Sequence, residues 1–509
     1  MSVSHSFSPS LSRRKVIRFL AGVPALPLAA GSAATLLTGC GSDSNDSSNQ
    51  YSGNSNRDNG FLDHTTTPIK SVEFLGMPAP DLSNPANMAT VYVASELKAT
   101  FTDNTTKNYK LAYQPFFKTG DKLQDLTGKE IIAGGYFDIN NQPIMDNSVL
   151  ASSRQFFSDC PDGSSLLTVK GARVAGVQGN TVFAVVQFEY TTKNLLGSNM
   201  YGLLPSPIAI ITLDQNPKTG ELNVVKYHNV DTSKAHGLWI TCGASLSPWN
   251  SHLSSEEYEP DAFIAKNDAN FRAFSKNLYG DETKANPYHY GHMPEVFVNA
   301  DGTGFVKKHY NLGRISHELI QVMPDNRTAL MGDDFTNGGL FMFVADQEKD
   351  LSAGNLYVAK VNQISAQGGL AKDSEFGISW IHLGHATSAE IEALANLVAP
   401  TDMMDVKFTD PNDTSYKKIG LDGSPNWVKL ATNSKLPADK LKQAAAFLET
   451  HRYAALQGAS MAFTKMEGTT VNIKDKIAYS AMSRIEKSMT TDEYDVKVAQ
   501  LKSGAVYAH

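Results

Sequence analysis

The chain has 509 residues, a net charge of −7 and three cysteines. That length allows one large domain or two to three ordinary ones. The acidic balance leaves no basic footprint for nucleic acid, and three cysteines are too few for a disulfide framework.

The amino terminus reads as an address. Ser12 to Leu20, S-R-R-K-V-I-R-F-L, carries the paired arginines Arg13 and Arg14 of a twin-arginine export signal. Leu20 to Leu37 is mildly apolar but broken by Gly22, Pro24, Pro27 and Gly31, which argues against a permanent transmembrane helix. Leu37-Thr38-Gly39-Cys40 resembles a lipoprotein cleavage box, with Cys40 as the lipid-bearing residue; the alternative is an ordinary signal with an incidental cysteine. Residues 41–60 are almost all Gly, Ser, Asn and Asp, too poor in apolar content to fold. The expected organisation is a signal over 1–40, a linker over 41–66 and a domain over 67–509, exported and membrane-anchored outside the cytoplasm. The twin-arginine machinery carries folded proteins, which suits a cofactor loaded before export.

From Thr67 on, short β-like runs alternate with turns. Strands are predicted at Thr90–Ala94, Thr181–Tyr190, Pro207–Leu213 and Glu221–Tyr227, the last two joined by an Asn-Pro to Gly turn. The form recurs at Glu295–Val298 with a turn over Asn299–Gly304, at Thr328–Met331 with Leu340–Val344, and at Thr470–Ile473 with Ile477–Met482. Hairpins spread over so long a chain predict a mainly β protein, a sandwich array or a propeller, with no exact repeat to decide between them. Two helical insertions are expected, Ser388–Val398 with Ile391, Leu394 and Leu397 on one face, and Pro437–Leu456 with Leu441, Ala445 and Leu448 on one face. Gly504-Ala-Val-Tyr507 reads as the start of a strand.

The densest chemistry lies between Cys242 and Glu257, where a thiol, a Pro-Trp turn, an imidazole and the carboxylates Glu256 and Glu257 fall within sixteen residues. Cys242 alone reads as a buried thiol or a disulfide partner of Cys160; beside a carboxylate pair it reads as a metal thiolate. Glu295 stands at the start of a strand, Glu318 follows His317, Asp333 and Asp334 sit in a Gly-flanked turn, and Glu467 follows Lys465 by two. Lys465 and Glu467 would share a side of an extended segment, a cation beside a carboxylate suited to an anionic substrate or to a plain ion pair. No nucleophile elbow, phosphate-cradling loop or Cys-x-x-Cys is present, and His289 and His292 are three apart in a loop, against a zinc protease.

These motifs together resemble the PhoX-type alkaline phosphatase family. The resemblance rests on Cys242, Pro248-Trp249 and Glu256-Glu257, on Tyr290-Gly291 leading to Glu295-Val296, on Gly313-Arg314 with His317-Glu318, on Met331-Gly-Asp-Asp334, on Gly354–Lys360 and on Thr464-Lys-Met-Glu467. It spans roughly Phe74 to the end. It implies a β-propeller of about six blades, incomplete at its carboxyl terminus, because the family continues past Gly-Ala-Val-Tyr with further strands. It implies a phosphomonoesterase with iron and calcium at its axis, releasing phosphate from small phosphorylated substrates by attack of a metal-bound oxygen. By motif position Cys242 would bridge the irons, and Glu257, Glu295 and Glu467 would complete the cluster, with Glu256, Glu318, Asp333 and Asp334 as further candidates. Lys465 falls where the family places a phosphate-holding arginine; it keeps the charge but loses the planar fork. His236–Thr241 lacks the acidic calcium ligands. The rival expectations are a calcium-dependent phosphotriesterase or lactonase on a similar propeller, and a non-catalytic surface-anchored scaffold.

Overall fold

The computed structural model describes residues 67–78, Ser83 and residues 94–509. The export and lipoprotein signal, the linker and, apart from Ala94, the strand expected at Thr90–Ala94 lie outside the described residues. The chain divides into two compact units: residues up to Phe116 with Gln215–Leu222, and Phe117–Asp214 with Asn223–His509.

The first unit carries one antiparallel sheet of β1 (Ile69–Leu75), β2 (Glu96–Phe101) and β3 (Thr106–Lys110). Leu97, Ala99 and Phe101 alternate inward along β2, the period of two that a half-buried strand requires.

The second unit is mainly β. Two short hairpins come first, β4 (Lys122–Gln124) with β5 (Glu130–Ile132) and β6 (Met145–Asp146) with β7 (Arg154–Gln155). A four-stranded sheet follows, of β8 (Pro161–Leu167), β9 (Asn180–Phe188), β10 (Ile208–Gln215) and β11 (Leu222–Asn229), in sequential order. The next is β12 (Ser245–Leu246), β13 (His252–Leu253), β14 (Met293–Val298) and β15 (Gly304–His309). Five strands make the third: β16 (His317–Val322), β17 (Thr328–Asp333), β18 (Phe341–Gln347), β19 (Asp350–Gln363) and β20 (Phe376–Thr387). A small sheet of β21 (Met404–Lys407), β22 (Lys417–Leu421) and β23 (Ser424–Leu430) precedes the last, β24 (Met466–Asn472), β25 (Ile477–Met482) and β26 (Ala505–Ala508). The predicted hairpins all form where the turn residues placed them, and Gly504–Tyr507 does open a strand. The first strands of four sheets approach one another: β8 contacts β12, β12 contacts β16, and β24 contacts both β16 and β17.

Helices interrupt the strands. α1 (Ala269–Tyr279) was not apparent from periodicity in so short a stretch, although Asp268 caps it and Gly280 ends it in the left-handed conformation. Its Phe271, Phe274 and Leu278 pack with Trp239 and Tyr290. α2 (Ser388–Leu397) starts with a Thr387–Glu390 capping box. Ile391 and Leu394 face inward as expected, but Leu397 is 74% exposed, and Ala395 takes the inner position instead. After the single turn α3 (Pro400–Met403), the expected long helix is two: α4 (Ala438–Leu448) and α5 (Thr450–Leu456), broken at Glu449 with φ −120° and ψ 47°. That break directs buried His451 and Arg452 toward carboxylates. No described helix is long and apolar enough to cross a membrane.

Candidate metal centre

The centre forms where the first strands converge. Cys242, in the loop before β12, places its Sγ 3.2 Å from Glu318 Oε1 on β16 and 3.6 Å from Asp162 Oδ2 on β8. Two donor groups share this thiol: Asp162, Glu189 and Cys242, and Cys242, Glu257 and Glu318, each with ligand atoms within 4.8 Å of one another. Cys160 and Cys242 are both free, so the disulfide alternative is not adopted.

Glycine lets the strands come this close. Gly163 donates its N–H to the Cys242 carbonyl at 3.1 Å, and a Cβ there would sit 2.7 Å from that same oxygen. On β17, a Cβ at Gly332 would run into the Met466 carbonyl of β24. Residues 256–258 are laced across the centre: the Glu257 N–H donates to the Ile240 carbonyl at 3.0 Å, and the Tyr258 N–H to Ser316 Oγ at 2.9 Å. Ile240 (φ 33°), Tyr258 (φ 46°) and Lys465 (φ 53°) all hold left-handed backbone. Bulky residues adopt it rarely, and it persists where surrounding structure over-determines it.

The two adjacent glutamates divide the labour. Glu257 joins the thiol, whereas Glu256 turns into the frame. Its Oε1 accepts from the Trp239 N–H at 3.0 Å and Lys308 Nζ at 2.8 Å, and its Oε2 from the N–H groups of Gly291 and His292, each at 3.0 Å. Glu295 is not brought to the thiol. On β14, two strands out from β12, its oxygens are taken by Trp249 Nε1 at 2.7 Å, His309 Nε2 at 2.7 Å and Ser251 Oγ. The Pro-Trp turn thus serves Glu295 and the frame. Asp333 also looks away, accepting from His451 Nε2 at 2.7 Å, while Glu259 Oε1 faces the other imidazole nitrogen at 3.1 Å.

Asp334 and Glu467 complete the rim. Asp334 Oδ2 takes both the Tyr258 hydroxyl and the Lys465 ammonium, and its buried Oδ1 has no hydrogen-bond partner among the described residues. Glu467 accepts from Ser483 Oγ at 2.6 Å and stands 3.5 Å from Lys465 Nζ. Asp162, Glu189 and Tyr258 escaped sequence reasoning. Asp162 sits in an ordinary Pro-Asp-Gly run and Glu189 directly follows β9, and neither spacing signals a ligand.

So many acids in one place repel one another. Burial, then Asp334 and Glu318, push the Glu257 carboxyl up to about 11. Burial and neighbouring acids raise Glu318 to about 8, and burial with Asp162 raises Glu189 to about 8. Burial, followed by Glu318, Glu257 and the first-group acids, drives the Cys242 thiol far above its ordinary range. Among the described residues, six carboxylates and a thiol face one lysine. A soft sulfur among hard oxygens, with an orphaned Asp334 oxygen, is a donor set that fits cations of both kinds.

A family model described as alkaline phosphatase PhoX matches residues 212–509. The chain belongs to the PhoX alkaline phosphatase family. The matched region contains Cys242, Glu257, Glu318, Asp334, Lys465 and Glu467, while Asp162 and Glu189 precede it. No curated protein matches the chain. Among solved structures, the chain is similar to Pseudomonas fluorescens PhoX in complex with vanadate, a transition state analogue, at 17% identity and a TM-score of 0.47, over 77% of this chain and 68% of that one. Membership in the PhoX family supports a phosphatase.

The buried Glu259–His451–Asp333 cluster makes stability depend on pH. Burial disfavours the imidazolium, but Asp333 and Glu259 outweigh it and push His451 up to about 10. A raised pKa stabilises fully below the unfolded value of roughly 6.5 and is lost as pH climbs through the folded one. Unfolding free energy is therefore expected to fall by about 2–4 kcal/mol between pH 7 and 10. His451→Gln should flatten that slope in denaturant titrations; an unchanged slope would remove His451 as its source.

Proposed function

We propose that the chain is a metal-dependent phosphomonoesterase whose centre holds iron at Cys242 and calcium among the surrounding carboxylates. The observation that carries this reading is one thiol shared by two acid groups, with Lys465 at their edge. Cys242 would serve as the shared soft donor, with Asp162 and Glu189 on one side and Glu257 and Glu318 on the other. Asp334 and Glu467 would add hard oxygens. When bound, the metals supply Lewis-acid stabilisation of charge on the transferring phosphoryl group.

The protein's own part is charge and position. Lys465 is 25% exposed at the side chain, so a substrate can reach it. Burial works against its charge, but Asp334 and the other acids raise its pKa, which keeps it an ammonium through alkaline pH. It orients the ester by donating to a phosphoryl oxygen. Lacking the planar fork of arginine, it grips one oxygen at a time. The paired Arg13-Arg14 and Cys40 support export through the twin-arginine machinery and a lipid anchor.

Treatment of the purified chain with a chelator is expected to reduce hydrolysis of an aryl phosphate by more than about 100-fold, with iron and calcium together restoring it. Turnover of triesters or lactones with none of monoesters would overturn the monoesterase reading. Full monoesterase activity after complete metal removal would overturn the metal requirement.

A further inference from the structure

Tyr258 is the first residue past the paired glutamates, and nothing in its type announces a role. Its hydroxyl lies 2.7 Å from Lys465 Nζ and donates to Asp334. Its ring is tilted against Phe335 at 5.6 Å between centroids, and Lys465 Nζ stands 5.4 Å from its centre. Its backbone is held in the left-handed region, with its N–H fixed on Ser316 Oγ at 2.9 Å. The hydroxyl accepts from the Lys465 ammonium while it donates to Asp334, so it serves both partners at once.

Lysine has three rotatable donors on a four-carbon stem and no intrinsic direction. Here Asp334 takes one N–H and Tyr258 accepts a second. A third remains. Without the Tyr258 oxygen, the ammonium is free to swing to Glu467, already 3.5 Å away. We propose that Tyr258 is the positioning residue that aims the third N–H of Lys465 at a phosphate oxygen, supplying the direction that an arginine fork would carry by itself. The inference rests on the phosphatase reading of this centre.

The test is Tyr258→Phe in the metal-loaded protein, with calorimetric binding of inorganic phosphate beside steady-state kinetics on an aryl phosphate. The phosphate Kd and the KM are expected to rise roughly tenfold, the cost of one charge-assisted hydrogen bond. The kcat should stay within about threefold, and iron content and thermal midpoint should match the parent. In a Lys465→Arg background, where the guanidinium fixes its own direction on Asp334, the same substitution should cost less than about threefold. Equal losses in both backgrounds, or an unchanged Kd in the first, would overturn the positioning role. A parent protein that neither binds phosphate nor cleaves monoesters would overturn the phosphatase reading and this inference with it.

Discussion

Cys242→Ala is expected to lower phosphate-ester hydrolysis by roughly a thousandfold or more, equivalent to about 4 kcal/mol of transition-state stabilisation, and to strip iron from the purified protein. The thiol is the donor that both acid groups share, so its loss opens both at once. Carboxylates alone are hard ligands and retain calcium better than iron. Cys242→Ser, with a small hard oxygen, should therefore keep calcium and still lose iron. The fold should survive. Burial and the acids hold the metal-free thiol neutral, so neither substitution changes the charge of the metal-free protein. Metal analysis, circular dichroism and activity on the same preparation check the three statements together. An alanine variant that retains iron and turnover would end the proposal of a thiolate-centred site.

The largest expected stability effect lies one layer away, at Lys308→Met. Lys308 and Glu256 form an ion pair at 2.8 Å with side chains 1% and 0% exposed. Lys308 also donates to the carbonyls of Gly237 at 3.0 Å and His289 at 2.8 Å. Removing the ammonium strands a buried carboxylate, a loss that costs about 3–5 kcal/mol. Burial already lowers the Lys308 pKa and raises that of Glu256. The stranded Glu256 should therefore take up a proton and stop accepting well from Trp239, Gly291 and His292. Those three amides anchor the segments that flank the centre, so the destabilised protein should also bind metal less tightly. Denaturant unfolding at fixed pH measures the first effect; a change below about 1 kcal/mol would show that the pair is dispensable.

The sequence made the strands visible because turns declare themselves: Asn-Pro with Gly220, and Asn299 to Gly304, each close a hairpin as read. Which sheets touch was invisible, because contacts between β12, β16 and β24 leave no local pattern. Cys242 and Glu257 were legible from their company. Glu295 looked equally good, because a carboxylate at a strand start reads the same whether a metal or an imidazole awaits it. Its partner His309 was the available signal, facing it from the neighbouring strand of the same hairpin. Asp162 and Glu189 had no such company; only folding β8 and β9 against the Cys242 loop gives them meaning. The apolar spacing in Pro437–Leu456 signals one amphipathic helix. Its break at Glu449 makes it a source of two buried cations as well, something periodicity cannot express.

The distances along the chain carry a thermodynamic consequence. Cys242 meets Asp162 across 80 residues and Glu318 across 76, while Tyr258 meets Lys465 across 207. No local loop can present these donors to an ion, and closing such spans is costly until packing repays the lost chain entropy. The unfolded chain therefore has little affinity for the cations that the native state would bind. Ion-binding free energy then passes almost undiminished into folding stability, rising with free ion concentration as ligand linkage requires. A centre that relieves its own repulsion by capturing ions becomes a brace tightened from outside, set by the ion supply of the compartment around it.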